Sequence, residues 1–379
     1  MKITVQREKL STAVSHVAKA VSTRTTIPIL TGIKLKADHE GLTLTGSDSD
    51  ISIEVHVPLE EGENWGVTVH EPGSIVLPSR IFSEIVRKLP ANEIEISVDD
   101  RLLTLIRSGQ AEFTINGLNA NEYPQLPQLE EDKVFSIPSD LLKTMIRQTS
   151  FAVATSEMRP ILTGIMWTLE EGLLKFVATD SHRFASRNAK VECSESLRFY
   201  NIVVPGKSCN ELVKIIDDDQ NLVDIVVADN QILVKSNHIL FYSRLLEGTY
   251  PDTNRIIPQG CKTEIVLSTK EFLQSIERAS LLSREGKTNV VKLITLPDGN
   301  VEISSNAPEI GKVTETIQPK QCNGEELKIS FNAKFMIDAL RSIDSSEIVT
   351  NFTGAMSPFI IRPTDHDWSL HLILPVRTY

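Results

Sequence analysis

Apolar positions recur at helical spacing in three short windows that stand a constant distance apart. In the first, Ile81, Phe82, Ile85, Val86 and Leu89 fall on one side of a helix over Pro78–Leu89, because steps of three, four and seven residues at about 100° each return to one face. A step of 127 residues gives Pro205–Ile216, with Leu212, Val213 and Ile216 on that side, and a second gives Asn332–Ile343, with Phe335, Met336, Ala339, Leu340 and Ile343. The polar face repeats as well. Arg80, Lys207 and Lys334 hold its first position, Arg87, Lys214 and Arg341 its last, and Glu84, Glu211 and Asp338 lie between them. One plus-minus-plus stripe alone is an ordinary solvated helix face with local ion pairs. Three in register predict three like units.

The remaining pattern fills in the units. Longer helices are predicted at Arg7–Val21 (apolar Leu10, Ala13, Val14, Val17, Ala18 and Val21), at Ser139–Val153 (Leu142, Met145, Ile146 and Ala152) and at Thr269–Ser283 (Phe272 and Ile276). The third follows Ser268 and Glu271 at capping-box spacing. Alternating runs at Lys2–Val5, Ile29–Lys36, Leu42–Ser47, Ile51–Val57, Ser74–Leu77, Ile94–Val98, Leu102–Arg107 and Glu112–Ile115 predict about eight strands beside the two helices of the first unit. The run PILTGI at 28–33 returns unchanged at 160–165, Tyr123-Pro124 returns as Tyr250-Pro251, and Asn289–Leu296 replaces PILTGI in the third unit. The fold class is therefore α+β, with repeated domains at 1–128, 129–254 and 255–379. Short proline-bearing segments at 121–127 and 248–258 predict a rigid curved array rather than beads on a string.

Composition adds less. With 41% hydrophobic and 23% charged residues, and no apolar run of membrane-spanning length, the chain reads as a soluble globular protein without a membrane partner. The start MKITVQREKL has no signal-peptide apolar region. Cys193, Cys209, Cys261 and Cys322 are scattered, with no metal-ligand spacing, which fits free thiols in a reducing cytoplasm. A net charge of −11 argues against a nucleic-acid partner if read alone. The six helix windows, however, are together basic, so the strands and loops carry more than all of the negative charge. Such a two-sided field directs a polyanion to one surface and keeps it off the others.

Asp180 and His182 invite an acid-base reading. No nucleophile elbow, phosphate-cradling loop or metal-ligand cluster accompanies them, so no catalytic residue, metal or cofactor is expected. Two non-catalytic readings stay open on the residues alone. One is a repeat scaffold whose basic stripes hold acidic protein partners. The other follows from the edge-strand problem: pairing the first unit of one chain with the third unit of another, head to tail, closes a ring with a basic hole.

The whole chain also resembles one family. The threefold repeat, MKITVQREKL, PILTGI, TDSHRF at 179–184, TYPD at 249–252 and LPVR at 374–377 are similar to the bacterial sliding clamps, the β subunits of DNA polymerase III. The resemblance implies a head-to-tail homodimer of six similar domains around duplex DNA. It implies loading by an ATP-driven clamp loader, and the tethering of the DNA polymerase III α subunit and other clients at the replisome. It also implies a processivity factor that catalyses nothing.

Carried over by position, the resemblance places a client-peptide groove at Leu162, Thr179, His182, Arg183, Phe184, Pro251, Ile256, Met356, Leu374, Pro375, Val376 and Arg377. Apolar walls there would hold leucine or aromatic anchors while an arginine pairs with an acidic residue at the rim. Arg24 matches a DNA-contacting position; Arg80, Arg87, Lys207, Lys214, Lys334 and Arg341 are added to it from the stripes. The dimer contact implied is Phe113 and Ile115 against Leu281 and Leu282. Five departures bear on these sites. Ser181 stands where many relatives have glycine and Phe184 where leucine is common, which alters the peptide preference. Gln110 and Glu112 stand at positions basic in the best-known relative, and Lys312 in a segment acidic there, which implies a re-paired interface.

Overall fold

A computed structural model describes residues 1–22, 25–61, 64–126, 129, 133–285 and 289–377. Among these, six α-helices form: α1 Arg7–Val17, α2 Ser79–Lys88, α3 Ser139–Ser150, α4 Gly206–Leu212, α5 Thr269–Glu285 and α6 Ala333–Ser342. Each lies where the apolar period predicts one. Their ends differ for local reasons. After Val17 the chain tightens into a 3-10 turn over Ala18–Ala20, which brings Ala20 rather than Ala18 or Val21 into the core. After α4, hydrogen bonds from Lys214 N to Glu211 O (3.1 Å) and from Ile215 N to Leu212 O (3.0 Å) tighten the backbone. Ile215 and Ile216 are therefore buried in place of Val213. On α2, Ile81 is 44% exposed and Phe82, Ile85 and Val86 carry the packing.

The PILT segments are not strand. Pro28–Thr31 and Pro160–Thr163 are 3-10 turns with proline at the helix start, each closed by its threonine hydroxyl donating to its own proline carbonyl (2.8 and 2.7 Å). Proline fixes φ near the helical value and supplies no N–H to a ladder. The strands begin after them, at Gly32–Ala37 and Gly164–Glu170. One strand of the first repeat, Val67–Glu71, has no clear alternation and goes unpredicted.

By contacts the chain divides into two compact units, residues 1–140 with 211–245 and residues 141–210 with 246–379. These units cut across the repeats because the second repeat lends strands to both. In the first unit an eight-stranded sheet runs Val134–Pro138, Leu222–Val227, Gln231–Ser236, Ile239–Arg244, Ile51–Pro58, Gly41–Ser47, Gly32–Ala37 and Gly73–Pro78. The repeats meet inside it, antiparallel, at Ile239↔Val55, Phe241↔Ile53 and Ser243↔Ile51. In the second unit a nine-stranded sheet makes the same junction between Arg183–Lys190 and Ser369–Ile373, at Arg183↔Ile373, Ala185↔His371 and Arg187↔Ser369.

Each unit also holds a smaller sheet with a bare outer edge. Among the described residues, Ala111–Asn116 ends a five-stranded sheet and pairs only with Leu103–Ser108; Gly311–Ile317 ends a four-stranded one and pairs only with Val301–Ala307. Helices pack on these sheets, α1 beside α2 and α5 beside α6. The core of the third repeat joins Phe272 and Ile276 of α5 to Met336 and Leu340 of α6 and to Phe331, Phe352 and Phe359 from the strands. Phe352 stacks on Phe359 at 5.0 Å. Phe272 is fully buried there. Phe272→Ala is therefore expected to destabilise this core by about 3–5 kcal/mol, measured as a lower urea midpoint of the transition that reports the second unit.

Candidate functional site

The site grows from one turn. At Thr179–Phe184 the strand Leu173–Thr179 reverses into Arg183–Lys190, and the Asp180 carboxylate accepts from the backbone N–H of His182 (2.9 Å) and Arg183 (3.0 Å). Ser181 N–H donates to the Thr179 hydroxyl (3.2 Å), which itself donates to the Arg183 carbonyl (2.6 Å). Ser181 sits at φ 77°. That conformation costs a non-glycine residue about 1–2 kcal/mol, which explains why glycine suits the position.

Arg183 is buried beneath this turn. Its Nε lies 3.0 Å from Asp180 and its Nη1 2.7 Å from Asp338 of α6, and its guanidinium stands over the rings of Phe335 (4.5 Å) and Phe151 (5.6 Å). Around the turn, Leu162 and Phe184 pack with Val177, Val203, Tyr250, Ile360 and Leu372 into an apolar floor. Tyr250 braces it: its hydroxyl accepts from Thr179 N–H (3.0 Å) and its N–H donates to the Asn201 side chain (3.0 Å). Burial pushes its phenol above the usual range.

The C-terminal segment crosses beside the turn. Leu374 N–H donates to His182 O (2.9 Å), Pro375 bridges to Phe331, and Val376 N–H donates to Ser330 O (2.7 Å). Leu374 and Arg377 are exposed and Pro375 and Val376 half-buried. Pro251 and Met356 are exposed on loops and Ile256 at the end of the 3-10 turn Asn254–Ile256.

The first unit contains a second copy of the same turn. Asp48 accepts from Asp50 N–H (3.0 Å) and Ile51 N–H (2.8 Å), Ser49 N–H donates to the Ser47 hydroxyl (3.2 Å), and Ser49 has φ 79°. Arg244 N–H donates to Asp50 O (2.9 Å), as Leu374 does to His182. The cavity beside it, about 350 Å³, is lined by Leu30, Ser52, Pro124, Gln231, Tyr242 and Arg244 among others.

Arg80, Arg87, Lys207, Lys334 and Arg341 are exposed on their helices, and Lys214 is exposed in the turn just after α4. Arg80 (94% exposed) pairs with Glu84 at 3.7 Å and Lys214 with Glu211 at 2.8 Å. Arg341 instead meets Glu277 of α5 at 2.7 Å, since Asp338 is taken by Arg183. On the bare edges, Phe113 is 38% exposed and Ile115 half-buried, while on α5 Leu281 is 54% exposed and Leu282 half-buried. Glu112 is held by Arg107 (2.8 Å) and Glu315 by Arg278 (2.9 Å).

Models of the DNA polymerase III beta subunit match the chain in order: the N-terminal domain at residues 1–127, the central domain at 136–252 and the C-terminal domain at 254–377. The chain belongs to the DNA polymerase III beta subunit family. Among curated relatives, the beta sliding clamp of Bacillus subtilis is 59% identical and that of Staphylococcus aureus 46% identical, each over the full length of both chains. The crystal structure of the Bacillus subtilis sliding clamp superposes with TM-score 0.97 at 58% identity over all of both chains. That of the Pseudomonas aeruginosa sliding clamp bound to griselimycin gives 0.92 at 29% identity, also with complete coverage.

Against the sites that sliding-clamp membership suggests, the structure brings Leu162, Thr179 and Phe184 together with Tyr250, and joins Leu374 to His182. Arg183 is buried, with its charge shared between Asp180 and Asp338, whereas Arg377 is exposed. Arg24 lies outside the described residues. The bracing role of Tyr250 was not expected, although its recurrence with Pro251 after Tyr123-Pro124 was the signal for it.

His371, on the strand that pairs with Arg183–Lys190, is fully buried and its pKa is pushed down to about 4 by desolvation. The unfolded chain therefore binds a proton near pH 6.5 that the folded chain refuses until about pH 4. Stability from this group is complete above pH 6.5 and falls as pH drops through that window, by up to about 1.4 kcal/mol per pH unit. His371→Leu is expected to flatten this part of the pH profile of urea unfolding.

Proposed function

We propose that the chain is a DNA sliding clamp, a non-catalytic processivity subunit that encircles duplex DNA without reading its sequence. Two copies join head to tail, the Ala111–Asn116 edge of one against the Gly311–Ile317 edge of the other, with Phe113 and Ile115 meeting Leu281 and Leu282. The observation that carries this reading is the ordered match of all three beta-subunit domains along one chain. Two bare strand edges support it, because an unpaired edge recruits a further strand. With Glu112 engaged by Arg107 of the neighbouring strand and Glu315 by Arg278 of α5, the charges flanking the seam pair differently from those of the best-known relative.

Arg80, Arg87, Lys207, Lys214, Lys334 and Arg341, with Arg24, face the DNA in this reading. Lysine and arginine on phosphates give weak, sequence-independent contacts that fall as salt rises, which suits sliding rather than gripping. Glu84 and Glu211, paired within their stripes, weaken the contact further. The groove over Leu162, Thr179, Phe184 and Tyr250, flanked by His182, Pro251, Ile256, Met356 and Leu374–Arg377, receives a short apolar and acidic peptide from the polymerase III α subunit and other clients. An ATP-driven loader places the ring at the replisome in the cytoplasm. No helix among the described residues is long and apolar enough to cross a membrane.

The test is retention on nicked circular DNA after loading by a cognate clamp loader with ATP. The protein is expected to stay on circles through high salt and run off once they are linearised; loss from both forms alike in salt would favour a scaffold for acidic proteins. Alanine at Arg80, Lys207 and Lys334 together is expected to reduce loading and flatten its salt dependence, and no change in either would sink the pore assignment. Removing residues 377–379 is expected to weaken client-peptide binding about tenfold, from the loss of one charge-assisted contact.

A further inference from the structure

We propose that Asp338, the acidic member of the third basic stripe, is a positioning residue for the client groove, holding Arg183 so that the Thr179–Phe184 turn is fixed against α6. The proposal rests on the groove reading above. Its starting point is a difference among three otherwise matched positions. Glu84 and Glu211 each pair with a cation of their own stripe, at 3.7 and 2.8 Å. Asp338 instead reaches Arg183 at 2.7 Å.

The ion pair is not what makes the turn. In the first unit the same hydrogen bonds form around Asp48 with Ile51 in the place of Arg183, and Ile51 is simply buried. What the second copy adds is a tie from the turn to α6. Arg183 spans from Asp180 inside the turn to Asp338 on the helix and lies over Phe335, one helical turn before it. His182, whose carbonyl receives Leu374 N–H, stands 6.5 Å from the same Phe335 ring. One buried cation with two carboxylates thus ties the turn to α6, and the Leu374 to His182 bond ties the C-terminal segment to the turn. Charge-assisted hydrogen bonds of this kind are shorter and stronger than neutral ones and hold geometry, and a cation left buried with one partner removed drives its surroundings to rearrange.

The helix that carries Asp338 also carries Lys334 and Arg341, so one α-helix serves the groove from one side chain and the basic face from two others. This separates the roles of the three stripe acids. Neutralising Asp338 changes client affinity, while neutralising Glu84 or Glu211 changes the salt response of DNA contact and leaves client affinity alone.

The experiment measures fluorescence anisotropy of a labelled synthetic peptide, taken from the clamp-binding segment of the cognate polymerase III α subunit, with the full chain. Asp338→Asn is expected to raise Kd about tenfold or more, Asp338→Glu to recover most of the affinity, and Glu84→Gln and Glu211→Gln to stay within about twofold of wild type. Wild-type affinity in both Asp338 variants would overturn the proposal, as would equal weakening by the three neutralised acids. If Asp338→Asn does not fold, Asp338→Glu beside Asp338→Ser in thermal melts and binding decides the same point. Failure of the wild-type chain itself to bind the peptide would instead overturn the groove reading.

Discussion

Backbone hydrogen bonding between strands of different repeats is the interaction on which this structure depends. Ile239–Arg244 continues the sheet of the first repeat through Ile51–Pro58, and Ser369–Ile373 continues that of the second through Arg183–Lys190. Each junction satisfies an edge that would otherwise stand open to unrelated pairing. It also sets where the functional turn lies. The ladder ends at Arg183↔Ile373, the turn begins at that point, and the Leu374 to His182 bond carries the ladder one step beyond the strands. The groove proposed above lies where that sheet runs out between two repeats.

Charge is organised on the same frame. A chain of net charge −11 contacts DNA in this reading because its cations sit on exposed helix faces while carboxylates cluster on strands and loops. The helices differ in how much of that charge is cancelled locally. Arg80 and Lys214 have acids within their own stripe; Arg341 draws one from α5. The three faces are thus alike in sequence and unlike in detail, as repeats become when one copy acquires a neighbour the others lack.

Much of this was legible in the sequence. Helix positions followed from a 3.6-residue period strong enough to survive three divergent copies, and strands that alternate, such as Ile51–Pro58, were placed to within a residue or two. What failed was local geometry that hydrophobicity does not encode. Proline and a threonine hydroxyl turned PILT into a 3-10 turn, and tightened backbone after α4 exchanged Val213 for Ile215. The turn over Thr179–Phe184 and the segment Leu374–Arg377 stood out in the sequence as motifs, and the structure joins them through the Leu374 to His182 bond, but the contacts of their side chains were not readable. The pairing of Arg183 with Asp338 joins residues 155 apart in the chain, and no periodicity reaches that far.

The duplicated turn bears on how many clients one chain can carry. Ser47–Ile51 reproduces the backbone of Thr179–Arg183 almost bond for bond, yet the neighbouring walls present Ser52, Tyr242 and Arg244 where the other copy presents Phe184, Leu372 and Leu374. Polar groups at those points must give up water to admit a leucine or an aromatic ring. Valency is therefore written in a few side chains rather than in the architecture. If the proposed groove is the client site, a ring of two chains offers two apolar berths, and clients contend for those two.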